Sequence, residues 1–302
     1  MTGLLTLRGL HREELQDLLD DGQRYSELLR SGSEVPELLR GRTVTTAFFE
    51  PSTRTRLSFE RAARCLGAQV MSFTPELSST SKGETFKDTI LTLAAMGSDA
   101  LCVRHHLADA ADLAARWSGL PVINAGVGRR EHPSQTLIDA LTLRQHFGTL
   151  DGLRIGIVGD VRNSRVARGH LIALPALGAE LTLIGPPTLL PVANPWGART
   201  STELDDELGD LDVVYLLRIQ HERGAEVGLP PGAAYSSRFG MNRERLSMLK
   251  PNAVIMHPGP INRGVELDDA AADSERSLIL GQVSNGVPMR MAILEVAMGA
   301  RR

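Results

Sequence analysis

Short apolar runs recur along the chain and alternate with amphipathic segments. The runs are a few residues long and rich in branched aliphatic residues, which predicts buried strands. The segments between them repeat apolar residues every three or four positions, which predicts helices. The predicted strands are 43–49, 68–73, 99–103, 121–124, 154–159, 179–184, 212–217 and 253–256. The predicted helices lie near 10–30, 53–66, 84–97, 107–117, 133–147, 163–177, 242–249 and 284–300.

The alternation of strands with helices predicts parallel α/β sheets. Four predicted strands precede residues 132–148 and four follow them, so the pattern indicates two doubly wound parallel-sheet domains joined by an interdomain helix. The expected boundaries are residues 1–131 for the first domain and 149–283 for the second. The C-terminal helix, at about 284–302, is expected to complete the first domain.

The composition excludes several classes of function. The 302 residues are 42% hydrophobic and 23% charged, which suits two globular domains. A net charge of −3 provides no basic field, so we expect no nucleic-acid partner. No apolar run is long enough to span a membrane, and the N-terminal segment lacks a signal-peptide core, which predicts a cytoplasmic protein. Cys65 and Cys102 are expected to be free thiols, and no ligand spacing indicates a metal or cofactor.

Two local features complete the pattern. Residues 228–240, GLPPGAAYSSRFG, hold two prolines and three glycines and are predicted to be a long loop; it is either a functional lid or a surface loop that tolerates length. Chemically useful side chains also gather after six predicted strands, where ligands bind in open parallel sheets, so we expect them to meet in one crevice. They are Ser52, Thr53, Arg54 and Thr55, then Arg104, then His132 and Gln135, then Asp160 and Arg165, then Arg218 and Gln220, and finally His257, Pro258 and Gly259.

The cluster after the first strand places two arginines at the start of a predicted helix. Ser52 or Thr53 suits the N-cap, and Arg54 and Arg56 fall in the first turn, where the helix dipole favours anions over cations. Hydroxyl groups, free backbone N–H groups and arginine together form an anion site, most naturally for phosphate. The alternative is that the two arginines pair with Glu50 and Glu60 as solvated ion pairs.

The dipeptide His132-Pro133 marks another helix start, because proline suits the first helical position. A histidine at the positive end of a helix is expected to stay neutral, and a neutral imidazole can donate a hydrogen bond to a carbonyl oxygen. The alternative is a capping or core histidine. The neighbouring Gln135 and the phosphate cluster favour the first interpretation.

The second half of the chain offers two further arginines, Arg165 and Arg218. Period two along an extended segment places Arg218 and Gln220 on the same face. Two guanidinium groups suit a ligand that carries two carboxylates. The alternative is that the arginines pair with acidic neighbours, for instance Asp160 or Glu222.

Seven segments resemble the catalytic chains of the aspartate carbamoyltransferase family, within the aspartate/ornithine carbamoyltransferase superfamily. They are FFEPSTRTRLSFE, KGETF, VRHH, HPSQTLIDALTL, SRVARGH, YLLRIQHER and HPGPINRGVEL, and they span the chain from about residue 5 onwards. The STRTR and HPxQ motifs are shared by carbamoyltransferases in general, whereas RIQ and HPGPINRGVE point to the aspartate members. The resemblance implies two doubly wound α/β domains with the active site in the cleft between them.

The resemblance also implies a role for each candidate residue. The phosphate of carbamoyl phosphate would be held by Ser52, Thr53, Arg54 and Thr55. Its carbonyl group would be polarised by Thr55, Arg104 and His132, and its amine would contact Gln135 and the backbone at Pro258 and Gly259. Aspartate would be bound by Arg165, Arg218 and Gln220. Lys82 and, less firmly, Ser78 match a loop that in this family reaches into the adjacent subunit's site, which implies a homotrimer with shared active sites.

The implied activity is transfer of the carbamoyl group from carbamoyl phosphate to the amine of L-aspartate. The products would be N-carbamoyl-L-aspartate and phosphate, in the committed step of de novo pyrimidine biosynthesis. A regulatory chain or dihydroorotase would be a candidate partner. No cofactor, metal, membrane or nucleic acid is expected.

Three other functions are alternatives to aspartate carbamoyltransferase activity. Ornithine carbamoyltransferase would need an acidic group for its second substrate, and its family reads HCLP where this chain has HPGP at 257–260. A dinucleotide-dependent dehydrogenase would need G-x-G-x-x-G, which GIVGDVRNSR lacks. A non-catalytic scaffold should have lost some site residues, yet every implied position is filled compatibly.

Overall fold

The chain folds as two compact units. The first unit comprises residues 1–141 and 283–302, and the second comprises residues 142–282. Each unit holds its own parallel sheet, which confirms the parallel α/β class expected from the pattern. The residues that a computed structural model of the chain describes are 3–75, 83–219 and 232–300.

The first unit is built on a four-stranded sheet. Its strands are β1 (Thr43–Phe48), β2 (Gln69–Phe73), β3 (Ala100–His105) and β4 (Val122–Val127). They lie in the order β2-β1-β3-β4, and each neighbouring pair is parallel. The helices that begin in this unit are α1 (Arg12–Ser31), α2 (Thr53–Cys65), α3 (Phe86–Ala95), α4 (Ala110–Ser118) and α5 (Pro133–Phe147).

Apolar side chains of β1, β3 and β4 pack with α3 and α4 into one buried cluster. Its sheet members include Ala47, Leu101 and Val103, and burying an aliphatic side chain of this size stabilises a fold by about 1.5–3 kcal/mol. Helix α1 is tied to the C-terminal helix, because the Tyr25 hydroxyl donates to Glu295 at 2.7 Å.

The second unit is built on a five-stranded sheet. Its strands are β5 (Arg154–Val158), β6 (Glu180–Ile184), β7 (Arg199–Ser201), β8 (Val213–Leu216) and β9 (Val254–Met256). They lie in the order β7-β6-β5-β8-β9, all parallel. The helices that begin here are α6 (Arg165–Ala176), α7 (Asp205–Leu208), α8 (Gly232–Phe239), α9 (Arg243–Met248), α10 (Asp269–Ala272) and α11 (Ile279–Ala297), with a short 3-10 helix at Pro187–Leu189.

The core of the second unit joins the sheet to its short helices. Val158, Ile184 and Leu216 of the sheet share one buried cluster with Tyr235 and Phe239 of α8. Close packing here also explains a glycine in the central strand. A Cβ at Gly156 would lie 2.5 Å from Leu211 Cδ1, so any side chain would force the neighbouring core apart.

All eight predicted strands are present. Among the described residues, the pattern missed β7, α7, α10 and the 3-10 helix, which are too short to show a period, and it also missed α8. The loop prediction for residues 228–240 was wrong in its described part, because α8 occupies Gly232–Phe239. Tyr235 and Phe239 lie one helical turn apart and are both buried, a spacing that the surrounding prolines and glycines concealed. Helix α11 also begins five residues before the predicted start at 284. Within the described ranges, no helix is both long enough and apolar enough to cross a bilayer.

Candidate active site

In the first unit, the candidate residues follow the two central strands. The sheet order makes β1 and β3 neighbours, while the chain leaves them towards opposite edges of the sheet. Ligands of open α/β sheets bind beyond the carboxyl ends of the strands at such a switch point. Phe48 on β1 lies beside Arg104 on β3, and the Phe49 amide donates to the Arg104 carbonyl at 2.8 Å. The loop that leads to Ser52 therefore begins beside Arg104.

Helix α2 begins as the sequence predicts, with Ser52 at the N-cap in an extended conformation. The Ser52 side chain makes no capping hydrogen bond, so its hydroxyl is not used to close the helix. No acidic residue lies in the first turn of α2. A helix start with these properties presents unsatisfied N–H groups and a positive dipole to an anion.

The two arginines of the first turn have different surroundings. Arg56 lies 3.8 Å from Glu60 through its Nε atom, as the ion-pair alternative required. Arg54 is exposed, and among the described residues it forms no ion pair. The ion-pair explanation therefore accounts for Arg56, whereas for Arg54 it finds no partner within residues 3–75, 83–219 and 232–300.

Arg104 is held at the ends of three strands. Its side chain is 13% exposed, and its Nε lies 3.7 Å from an Oε of Glu50, which follows β1. One of its terminal nitrogens donates to the carbonyl of Ala125 on β4 at 3.3 Å. These contacts place a guanidinium beside the start of α2, where it can assist Arg54 in binding an anion.

The residue after Arg104 is a histidine that stays neutral. His105 lies between the rings of Phe49 and Phe86, at centroid distances of 5.0 and 4.5 Å. Burial, and then the neighbouring His106, lower the pKa of His105 to about 4. Its Nδ1 accepts a hydrogen bond from the Leu107 amide at 2.9 Å, which closes the turn after β3.

His132 directly precedes α5, at the N-cap position that the sequence predicts. Its side chain is buried, and its Nδ1 lies 3.5 Å from the Ser134 hydroxyl. Ser134 is in turn 3.4 Å from a terminal nitrogen of Arg290, a guanidinium whose pKa burial lowers to about 10. The residue before His132 is also anchored, because the Glu131 carboxylate accepts from the Leu7 amide at 2.8 Å.

Gln135 is oriented by a buried carboxylate one turn further along α5. Its Nε2 donates to Asp139 Oδ1 at 2.8 Å, and Asp139 is fully buried. The amide nitrogen of Gln135 therefore faces Asp139. The carbonyl oxygen of Gln135 is then the atom presented to a ligand, and it can accept a hydrogen bond from an amine.

In the second unit, the candidate residues again follow two central strands that leave in opposite directions, here β5 and β8. After β5, the Asp160 carboxylate accepts from the backbone and side-chain nitrogens of Asn163, which shapes the loop. The Ser164 hydroxyl then caps α6 by accepting from the Ala167 amide at 3.1 Å. Arg165 is consequently the first residue of α6, at the positive end of the helix.

Arg218 follows β8 by two residues and is half-buried, like Arg165. Because β5 and β8 pair directly, with Val158 beside Leu216, the segments carrying the two arginines leave adjacent strands at one edge of the sheet. Two guanidinium groups brought together at such a switch point would suit a ligand with two carboxylates.

The third strand end of this unit carries the His257–Pro260 segment after β9. His257 is buried, and its Nδ1 accepts from the Gly259 amide at 2.8 Å. Gly259 has a φ of 65°, which favours glycine, and the Gly259–Pro260 peptide is cis. Pro258 and Gly259 are half-buried. Because the Gly259 N–H is used by His257 and proline has none, this segment can offer a ligand only carbonyl oxygens.

Ser78, Lys82 and Gln220 lie outside the described residues, and their roles stay predictions. The sequence reasoning missed several residues that orient the site, among them Ser134, Asp139, Asn163 and Arg290. Asp139 could have been found, because it lies four positions after Gln135 on a predicted helix. Nothing in the sequence pattern connects Arg290 with Ser134, since 156 positions separate them.

Comparisons with known proteins give a consistent result. A family model described as "Aspartate/ornithine carbamoyltransferase, carbamoyl-P binding domain" matches residues 3–145, and a second, described as "Asp/Orn binding domain", matches residues 151–297. The aspartate carbamoyltransferase catalytic subunit of Rhodococcus erythropolis is 50% identical over 97% of this chain and 96% of its own length. The corresponding subunit of Thermobifida fusca is 46% identical over 99% of this chain and 96% of its own.

Solved structures resemble the chain as well. Aspartate transcarbamoylase from Trypanosoma cruzi, in complex with carbamoyl aspartate and phosphate, matches with a TM-score of 0.90 and 31% identity, over 97% of this chain and 94% of that one. Ornithine carbamoyltransferase from Pyrococcus furiosus matches with a TM-score of 0.86 and 28% identity, over 99% and 98% of the two chains.

Proposed function

The chain belongs to the aspartate/ornithine carbamoyltransferase family, and from that premise we propose that it is an aspartate carbamoyltransferase. It transfers the carbamoyl group of carbamoyl phosphate to the amine of L-aspartate and releases phosphate, which places it in pyrimidine biosynthesis. The relatives that are 46–50% identical over nearly the whole chain carry this enzyme's name. The Trypanosoma cruzi relative has been solved with both carbamoyl aspartate and phosphate bound.

One observation carries the proposal: each unit presents arginine at a helix start, at the switch point of its own sheet. In the first unit, Ser52, Thr53, Arg54 and Thr55 suit a phosphate dianion, with Arg104 on the next strand. In the second unit, Arg165 and Arg218 suit the two carboxylates of aspartate. The side chain of ornithine is a cation, and two arginines offer it no acidic partner.

The reaction needs no covalent nucleophile, because carbamoyl phosphate is already activated. The amine nitrogen forms a bond to the carbamoyl carbon, and the bond from that carbon to the phosphate oxygen breaks. The departing phosphate takes the proton that the amine loses. Holding two substrates in attack geometry can lower the barrier by roughly 7–11 kcal/mol.

The remaining stabilisation comes from donors on the carbonyl oxygen and acceptors on the amine. Thr55, Arg104 and His132 are the proposed donors, and each well-aimed donor contributes about 3 kcal/mol. Gln135 presents its carbonyl oxygen, as its contact with Asp139 requires, and so suits the carbamoyl amine. Pro258 has no N–H group, so its backbone can contribute only a carbonyl acceptor there.

His132→Ala tests this assignment. We expect turnover to fall roughly 100-fold or more, because the variant removes a donor that acts mainly as negative charge develops on the carbonyl oxygen. The dissociation constant for inorganic phosphate should change little. His146→Ala, an exposed histidine at the far end of the same helix, is the matched control. Turnover that survived in His132→Ala would reject the role of His132.

We further propose that the working unit is a cytoplasmic homotrimer in which Lys82, with Ser78, completes the site of the adjacent subunit. Light scattering of the purified protein measures the oligomeric state. Lys82→Ala and Arg54→Ala should each be inactive alone. Mixing the two after mild dissociation should restore activity if each trimer can assemble one intact site from both variants; no recovery in a mixed trimer would mean that sites are not shared. A regulatory chain or dihydroorotase is the proposed type of further partner.

The experiment that tests the function is phosphate release from carbamoyl phosphate in the presence of aspartate, ornithine or no acceptor. Detection of the carbamoylated amino acid identifies the product. We expect turnover with aspartate alone. Turnover with ornithine would mean that the assignment of Arg165 and Arg218 to aspartate is wrong. No turnover by a folded trimer would favour a non-catalytic scaffold.

A further inference from the structure

Glu266 is a fully buried carboxylate that the reaction described above does not use. It lies in the second unit, in the segment between β9 and α10, and has 0% of its surface exposed. Among the described residues, no lysine or arginine forms an ion pair with it; its charged-group contact is His257. In the part of the chain that the structure describes, its Oε2 atom and the Nε2 atom of His257 have no hydrogen-bond partner. Burying a carboxylate without a cation and with one oxygen unsatisfied is costly, so its position calls for an explanation.

The first contact of Glu266 leads to the Pro258–Gly259 segment. An Oε of Glu266 lies 3.3 Å from Nε2 of His257. Nδ1 of His257 accepts the Gly259 N–H, so Nε2 is the ring nitrogen that faces Glu266. The carboxylate therefore packs against the ring whose other nitrogen holds Gly259, by proximity and without a hydrogen bond.

The second contact of Glu266 leads to the segment that carries Arg218. The same Oε accepts from the Asn262 amide at 2.6 Å. The Asn262 side chain in turn donates to the carbonyl of Ile219 at 2.9 Å. Ile219 is fully buried and directly follows Arg218. Asn262 therefore holds the backbone next to Arg218, which is proposed to bind aspartate.

A buried phenol, Tyr235, also lies near Glu266. The pKa of the Tyr235 hydroxyl is raised by burial first, and then by the nearby Glu266 and Asp160 carboxylates. Tyr235 therefore keeps its proton and adds no charge to the cluster. A carboxylate in such a site has little freedom to move, which suits a group that orients others.

We propose that Glu266 is a positioning residue that holds two substrate-binding segments of the second unit in register. One segment carries Arg218 and the other is Pro258–Gly259, and Glu266 reaches them through Asn262 and His257. The inference rests on the proposed function, because that function assigns the two segments to aspartate and to the carbamoyl amine. It adds a residue that touches neither substrate and yet sets the geometry for both.

Three variants separate the two chains of contacts, or arms, that leave Glu266: one runs through Asn262 to Ile219, and the other through His257 to Gly259. Asn262→Ala breaks only the arm to Ile219 and should raise the KM for aspartate about tenfold, with kcat within about twofold of wild type. His257→Asn keeps an acceptor for the Gly259 amide but loses the contact with Glu266, and it should lower kcat about tenfold with a smaller change in KM. Glu266→Gln should combine both effects. The dissociation constant for inorganic phosphate should stay at the wild-type value in all three.

Glu207→Gln is the matched control, because Glu207 is another buried carboxylate of the second unit and pairs with Arg199 away from these segments. It should lower the melting temperature and leave KM and kcat unchanged. The proposal is overturned if Glu266→Gln behaves like Glu207→Gln, or if it weakens phosphate binding as much as aspartate binding. Should Glu266→Gln fail to fold, the opposite KM and kcat patterns of Asn262→Ala and His257→Asn still decide the matter.

Amide hydrogen exchange separates this inference from the proposed function. Glu266→Gln should speed exchange in peptides that cover residues 217–219 and 257–262, whereas Glu207→Gln should not. This readout needs no turnover, so it stands even if the wild-type protein fails to carbamoylate aspartate. Unchanged exchange in both peptides would refute the positioning role while leaving the assigned reaction intact.

Discussion

Arg54 and Arg56 show what a single side chain reveals about function. Both break the rule that cations avoid the first turn of a helix, but Arg56 is balanced by Glu60, whereas Arg54 has no acidic partner in the described part of the chain. The sequence predicted two arginines in an unfavourable place and offered two explanations, a phosphate site and ion pairs with acidic neighbours. It could not say which explanation applies to which arginine, because that depends on the direction in which each side chain leaves the helix.

Arg54→Ala should weaken binding of inorganic phosphate by roughly tenfold to hundredfold, because it removes a charge-assisted contact at the helix start. Arg61→Ala, which removes an exposed arginine from the same helix, is the control for net charge and should change binding less than about twofold. Isothermal titration calorimetry with phosphate measures both. Equal losses in the two variants would mean that phosphate responds only to the general field of the protein.

His105 gives the protein a dependence of stability on pH. Its folded pKa of about 4 lies below the ordinary histidine value of 6.5. The unfolded chain therefore binds more protons between these values, and the stability that this histidine contributes is complete above pH 6.5 and is lost as the pH falls towards 4. The contribution should be on the order of 1 kcal/mol once solvent screening is allowed for.

Chemical denaturation at pH 7 and pH 5 measures this effect. His105→Asn keeps an acceptor for the Leu107 amide but cannot be protonated in this range. The wild-type protein should lose more free energy of unfolding between the two pH values than the variant does. An equal loss in both would assign the pH dependence to other groups.

Helix starts are the elements that connect the sequence to the site. The starts of α2, α5 and α6 could be predicted to within two residues, because serine, proline and the apolar period mark them. Helix α8 could not, because its composition resembles a loop and its buried face has only two large residues. Strand β7 was missed for a related reason, since three residues at a sheet edge show no alternation.

The start of α6 offers a test at this scale. Ser164→Ala removes the hydroxyl that accepts from the Ala167 amide and should cost about 1 kcal/mol of unfolding free energy. The KM for aspartate should rise severalfold, since Arg165 is the next residue, whereas phosphate binding should not change. Ser164→Thr retains a capping oxygen and should restore most of both quantities; a threonine variant as impaired as alanine would rule out capping as the cause.

The proposed function assigns the two substrates to two units of the molecule, the phosphate of carbamoyl phosphate to the first and aspartate to the second, and each unit has its own core. The sequence predicted both parallel sheets and most of the candidate residues, because strand ends and helix caps are local signals. It could not predict the support behind them, such as Arg290 behind Ser134 or Glu266 behind His257, because these contacts join distant parts of the chain. Local pattern therefore identifies the groups that meet a ligand, and tertiary packing determines how they are oriented.

If phosphate binds only in the first unit, it should protect only that unit from amide hydrogen exchange. Saturating inorganic phosphate should slow amide hydrogen exchange around residues 49–56 and 104, because binding stabilises the folded form of its own site. Peptides covering residues 159–165, in the second unit, should exchange as before. Arg54→Ala should abolish the slowing. Protection of the second unit with none in the first would place the phosphate site in the wrong sheet.

The order of the units along the chain has a consequence for synthesis. The second unit interrupts the first, from residue 142 to residue 282, and α11 then returns to supply Glu295 to Tyr25 and Arg290 to Ser134. A ribosome therefore delivers every residue of the second unit before the first can close. The unit whose synthesis begins first can therefore be completed only after α11 has been made, and a chain that stopped at residue 282 would hold every residue of the second unit but lack most of the helix that the first unit needs.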